Sequence, residues 1–231
     1  MIGYLPLATT AVALLFTVVL WRRYRERGGT HLLWWGLGTL SYAAGTITES
    51  VTTLAGWHEP VFRAWYITGA LLGGAPLAQG TVYLLLRRQV ANRLTLAVGS
   101  VILVAALCVV LSPIDWAAVE PHRLSGRVLE WTWVRGFSPF INLYAVTFLV
   151  GGATLSALRY RKRMETRHRY IGNGLIAVGA LLPGIGGSFT RFGHTEVLYV
   201  TELVGLLLVY GGFRIITGRA PAPARPASTS D

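Results

Sequence analysis

Cysteine is nearly missing from this chain: Cys108 is the only one, and it lies inside an apolar run. A disulfide framework and a thiolate metal cluster are both excluded. Lysine is equally scarce, with Lys162 alone against twenty arginines, and Ala, Gly, Leu and Val are abundant, a composition that points to a GC-rich bacterial genome. Charge is thin as well. Only 13% of the 231 residues are charged, about half the share of a soluble domain, which argues against one. The net charge of +11 sits beside apolar runs and forms no separate basic domain, so nucleic acid is not an expected partner. Catalytic signatures are missing too. The histidines (His31, His58, His122, His168 and His194) form no HExxH and no ligand pair on one helix face, and there is no nucleophile elbow. An enzyme is therefore the less favoured class, and no metal site is expected.

What the chain does have is apolar length. A helix needs about 20 mostly apolar residues to cross the hydrocarbon core. Seven segments meet that need, at roughly 3–21, 31–56, 61–86, 94–112, 138–158, 170–190 and 195–216. The expected fold is all-α, a polytopic membrane protein built as a bundle of seven transmembrane helices. Its orientation is written in arginine. Sixteen of the 21 Lys and Arg residues fall in four patches: 22–27, 87–93, 159–169 and 214–225. These patches close every second apolar segment. Positive residues stay in the cytoplasm, so the N-terminus is expected outside and the C-terminus inside. The basic cluster follows the first apolar segment instead of preceding it, which is not the pattern of a cleaved signal. The expected location is the bacterial cytoplasmic (inner) membrane, with the lipid bilayer as surrounding partner. The Pro-, Ala- and Ser-rich residues 217–231 read as a disordered cytoplasmic tail. The loop from Ser112 to Phe137 is the only long one, and reads as either a functional loop or an ordered cap.

Two carboxylates stand out. Glu49 lies in the second segment, eight residues before Trp57, about 12 Å below the outer interface at 1.5 Å per residue. Ser41, Gly45, Thr48, Glu49 and Thr52 share one helical face. Leu33, Leu37, Leu40, Ala44, Ile47, Val51 and Leu54 form the opposite one. The first face should look into the bundle and the second at lipid. Glu202 lies in the seventh segment, also in the outer half, near Tyr199. An ionisable group at such depth is costly unless paired or hydrated, and marks a functional site by default. Arg63, with Tyr66 after it, opens the third segment; Arg135 precedes the fifth, and Arg191 follows the sixth. The expected ligand- or ion-binding set is Glu49, Arg63, Tyr66, Glu202, Tyr199 and Arg191, with the glutamates paired to Arg63, Arg135 or Arg191. Structural pairing between helices explains the same residues, and both readings stay open at this level. Gly69, Gly73, Pro76 and Gly80 stripe the third segment, and Pro183-Gly184-Ile185-Gly186-Gly187 in the sixth is the better candidate for a distorted helix. The seventh segment has no lysine, so a retinal Schiff base is not expected despite the seven-span plan.

Several positions together resemble the seven-transmembrane N-terminal sensor region of some bacterial histidine kinases. They are Glu49, Trp57, Trp65-Tyr66, Pro76 and Tyr83, then Arg135-Gly136-Phe137 and Tyr144, then Tyr170, Pro183, Tyr210 and Arg214. The resemblance implies a receptor-like input module, here without an output domain. A small ligand or lipid would bind in a polar pocket of the outer membrane half. The signal would pass to a separate membrane or cytoplasmic signalling partner, or through a homodimer. Two other readings fit the residues: a small transporter or channel using the intramembrane carboxylates, and a membrane enzyme acting on lipid.

Overall fold

The computed structural model describes residues 2–161 and 164–218, without the side chains of Ile2, Met164 and Arg191. All regular structure among them is helical, beyond two isolated backbone bridges in the long loop, Ile114 with Leu129 and Glu120 with Arg123. The chain runs up and down through α1 (Leu5–Arg27), α2 (Thr30–Ala55), α3 (Glu59–Trp65), α4 (Ala75–Leu85), α5 (Arg88–Leu111), α6 (Phe137–Ala145), α7 (Gly151–Tyr160), α8 (Arg167–Phe189) and α9 (Thr195–Gly218). A π-helical turn, Tyr66–Leu71, follows α3, and a second, Val146–Val150, joins α6 to α7. Five stretches are long and apolar enough to cross a membrane: Leu5–Arg27, Arg88–Leu111, Thr132–Tyr160, Arg167–Phe189 and Thr195–Gly218. All but the first residues of the expected tail lie outside the described residues; Thr217 and Gly218 end α9.

The two remaining apolar segments explain themselves. The second, α2, has 26 residues and therefore the length, but Gly and Thr dilute its apolar character. Of its expected inner face, Gly45, Glu49 and Thr52 are buried and Ser41 and Thr48 half-buried, with Thr46 and Ser50 buried beside them; of the outer row, Leu37, Leu40, Ile47, Val51 and Leu54 are exposed and Leu33 and Ala44 half-buried. The third segment is not one helix over 61–86. It breaks at Leu72–Gly74, between the π turn and α4. Proline at the start of α4 lacks the N–H that would continue the ladder, and the glycines before it do not hold a helix. At Pro183–Gly187, the expected site of distortion, α8 is not broken: it runs from Arg167 to Phe189 with Pro183 inside it.

Helix packing here relies on small residues, since lipid is as apolar as the side chains it would replace. The tightest seam is α8 against α9. A Cβ on Gly179 would sit 2.5 Å from the Gly205 carbonyl oxygen, and Gly172 and Gly212 approach each other in the same way. Gly174, on the same helix, faces open space. Gly179→Ala should cost about 1–3 kcal/mol of stability through forced separation of the helices. Gly174→Ala should be neutral or slightly stabilising. Denaturant unfolding of the detergent-solubilised chain compares the two.

Two apolar clusters flank the middle of the bundle. One joins Phe62, Tyr66, Leu71, Ala105 and Val109 to Val128, Leu129 and Val134 of the long loop. That loop is thus an ordered cap, with Val128, Leu129 and Val134 turned inward and Trp131 and Trp133 exposed. The other cluster, near the arginine-rich end, packs Phe16 against Tyr210 and Phe213, with ring centroids 5.0 and 5.3 Å away, together with Leu20, Leu32 and Leu206. A polar network crosses α4, α5 and α6. Buried Gln79 donates to the Ala91 carbonyl (3.1 Å) and to Thr95 Oγ1 (2.7 Å), while its own Oε1 accepts from Tyr144. Every polar atom of the Gln79 amide is satisfied, which suits a fixed structural joint.

Candidate functional site

The site begins with the pitch of α2. Gly45 has no side chain, and a Cβ there would lie 3.2 Å from the Gly69 Cα. This close approach brings the end of α3 onto α2. Trp65, the last residue of α3, donates its indole N–H to Glu49 Oε1 at 3.0 Å. The remaining oxygen, Glu49 Oε2, is buried without a hydrogen-bond partner. Glu49 as a whole is 6% exposed.

Across the interior, α9 presents Glu202. Its side chain meets that of Glu49 in a carboxyl–carboxyl contact. The residue is partly accessible, but its Oε2 is buried and also lacks a partner. Tyr42, two turns below Glu49 on α2, donates to the Glu202 backbone carbonyl at 3.4 Å. Two ionised carboxylates repel and cannot hydrogen-bond to one another, so a contact of this kind needs a shared proton. No third acidic or imidazole side chain joins them among the described residues, which leaves the oxygen set short of what a hard divalent cation takes.

One turn nearer the loop end, Thr53 Oγ1 and Tyr199 OH are hydrogen-bonded at 3.3 Å. Both also line a cavity of about 240 Å³ that includes Gly3, His122, Thr195 and Glu196. The order from the loop end inward is therefore vestibule, hydroxyl pair, carboxyl pair. Beyond the carboxyls the path closes. Thr10 bonds to Thr46 at 2.8 Å and Thr17 to Thr39 at 2.7 Å, and the Phe16–Phe213 cluster lies next to them.

The six residues expected to form one site divide in the structure. Glu49, Glu202 and Tyr199 come together. Arg63 does not join them. Its guanidinium takes Glu59 Oε1 at 2.6 Å, one turn earlier on α3, and donates to the carbonyls of Val109 and Ser112 at the end of α5. It is a helix cap, satisfying carbonyls that have no partner within α5. Tyr66 packs in the apolar cluster under the loop, against Gly126. The Arg191 side chain lies outside those described. Among the described residues no arginine reaches either carboxylate, so the expected ion pairs to Arg63 and Arg135 do not form. The physical reason is distance along the chain: Glu59 is available to Arg63 at i−4, a spacing that places both on one helix face. Trp65, Tyr42 and Thr53 are site residues that the sequence reading passed over. The last two carried a signal, since they lie at seven and four residues from Glu49 on the same helix.

A scan against protein-family models finds no match for this chain, and neither does a search of curated proteins.

Proposed function

We propose that this chain is a receptor-like integral membrane module that takes up a proton from the outer side at the Glu49–Glu202 pair and acts through a partner protein. All seven apolar segments cross the bilayer in this reading, α2 and the interrupted third included. The arginine-rich end faces the cytoplasm by the positive-inside bias, and the long loop faces outward. The membrane is the bacterial cytoplasmic one.

The observation that supports the reading is the contact between the Glu49 and Glu202 carboxyls, each with a buried Oε2, and with no arginine of the described residues paired to either. An anionic ligand would be repelled there. The threonine pairs and aromatic cluster on the cytoplasmic side favour a dead-end site, hence a receptor and not a pore. Trp65 couples the site to the break in the third segment, because the π turn starts at the next residue. π turns within helices often mark functional positions.

The test uses the full chain in liposomes. External acidification should change Trp65 fluorescence, with Trp65→Phe as the reference, and should produce no net proton flux. Thr53→Val, which removes the hydroxyl pair at the vestibule floor, should speed that change by up to about tenfold for one lost hydrogen bond. An unaltered rate would remove Thr53 and Tyr199 from the access path. A second reading, a transporter, draws on the same break at Leu72–Gly74 as a hinge. Proton-coupled uptake that disappears in Glu202→Gln would favour it over the receptor.

A further inference from the structure

At the arginine-rich end, far from the carboxyl pair, α8 and α9 leave a second cavity of about 460 Å³. The first turn of α8 lines it with Arg167, His168 and Ile171, and the last turn of α9 with Arg214, Ile215 and Gly218. Two guanidiniums, an imidazole and two isoleucines therefore line one cavity, to which Gly218 adds no side chain. Among the described residues no carboxylate lines the cavity. The three ion pairs among the described residues all lie towards the opposite end, and none involves Arg167, His168 or Arg214. Arg214 instead hydrogen-bonds to the Tyr210 hydroxyl at 3.1 Å and stacks over its ring, which holds the guanidinium against α9.

The apolar side of the cavity continues along the bundle. Ile171 is exposed, and Val178, two turns further on the same face of α8, is exposed too. On α9, Ile215 is followed at helical spacing by exposed Leu207 and Val204. A ligand matched to this surface has a compact anion at one end and hydrocarbon at the other. A planar guanidinium fork fits phosphate oxygens two at a time.

We propose that this cavity is a binding site for the phosphodiester headgroup of an anionic phospholipid, with its acyl chain lying along the exposed face of α8 and α9. The proposal is independent of the carboxyl pair. It commits to a lipid over a soluble phosphate because charge and apolar surface adjoin in one cavity. Basic pockets between transmembrane helices hold lipid headgroups by the same chemistry.

The full chain, purified in a neutral detergent, is mixed with phosphatidylglycerol or phosphatidylcholine, and retained lipid is counted by native mass spectrometry. Phosphatidylglycerol should be retained well above phosphatidylcholine. The double variant R167Q/R214Q should lose about thirtyfold in phosphatidylglycerol affinity, at about one cationic contact per arginine. R167K/R214K keeps the charge but loses the fork, so it should fall between the two. If R167Q/R214Q melts with the wild type, its lipid count is read directly; if it does not, R167K/R214K and the headgroup comparison decide. Equal retention of the two lipids, or undiminished phosphatidylglycerol on the variants, would overturn the proposal. So would displacement of the lipid by millimolar inorganic phosphate, which would assign the cavity to a soluble anion.

Discussion

Glu49→Gln abolishes the Trp65 response to external acidification, and Glu202→Gln does the same. Either amide can still fill the space and accept a hydrogen bond, so the Trp65 indole keeps its partner at position 49. What an amide cannot do is exchange a proton with the carboxyl opposite. The response should fall below about a tenth of the wild-type amplitude, since a site needing both members fails when either is neutralised. Stability should be retained in both variants, because the amide keeps the shape and hydrogen-bonding capacity of the carboxyl while removing one of two acidic groups that repel when ionised. Glu49→Leu separates the two effects. It also strands the indole N–H in a buried position, which should cost about 1–3 kcal/mol. Fluorescence titration and denaturant unfolding of the same preparations distinguish loss of the site from loss of the fold.

Arg63→Ala should do the reverse: it lowers stability and leaves the Trp65 response in place. The guanidinium holds Glu59 and two carbonyls at the end of α5, with its side chain 17% exposed. Its removal leaves the Val109 and Ser112 carbonyls without that donor, and frees the cap loop that packs above them. The expected loss is about 2–4 kcal/mol, from charge-assisted hydrogen bonds to groups that water reaches poorly. Arg63→Lys should recover part of it, since an ammonium cannot span Glu59 and both carbonyls at once. An Arg63→Ala variant that keeps its stability and loses its response would return Arg63 to the ligand site.

The contrast between these variants shows how far the sequence could be read. The arginine patches and the apolar runs carried the all-helical class, and the leucine row of α2 carried its exposed face, because both follow from one-dimensional periodicity. That Glu49 and Glu202 turn a carboxyl oxygen into the interior was legible for the same reason. Their contact was not, since nothing along the chain says which residue of α9 faces which of α2. Arg63 illustrates a different limit. The nearby Glu59 was visible at i−4, but a depth argument gave the arginine to the deep carboxylates, and short-range pairing prevailed. The break after Leu71 hid inside a glycine stripe that close packing explained equally well. In α8 the same kind of stripe does serve packing, against Gly205 and Gly212 of α9. Glycine spacing alone does not separate the two outcomes; what the neighbouring helix presents decides.

The central claim is that Glu49 and Glu202 share one proton. Infrared spectroscopy of the full chain in lipid at neutral pH tests it directly, through the carbonyl stretch of a protonated carboxylic acid. The account predicts such a band in the wild type, shifted by deuterium exchange and missing from both Glu49→Gln and Glu202→Gln. A wild-type spectrum without the band, or a band that survives in both variants, would contradict it.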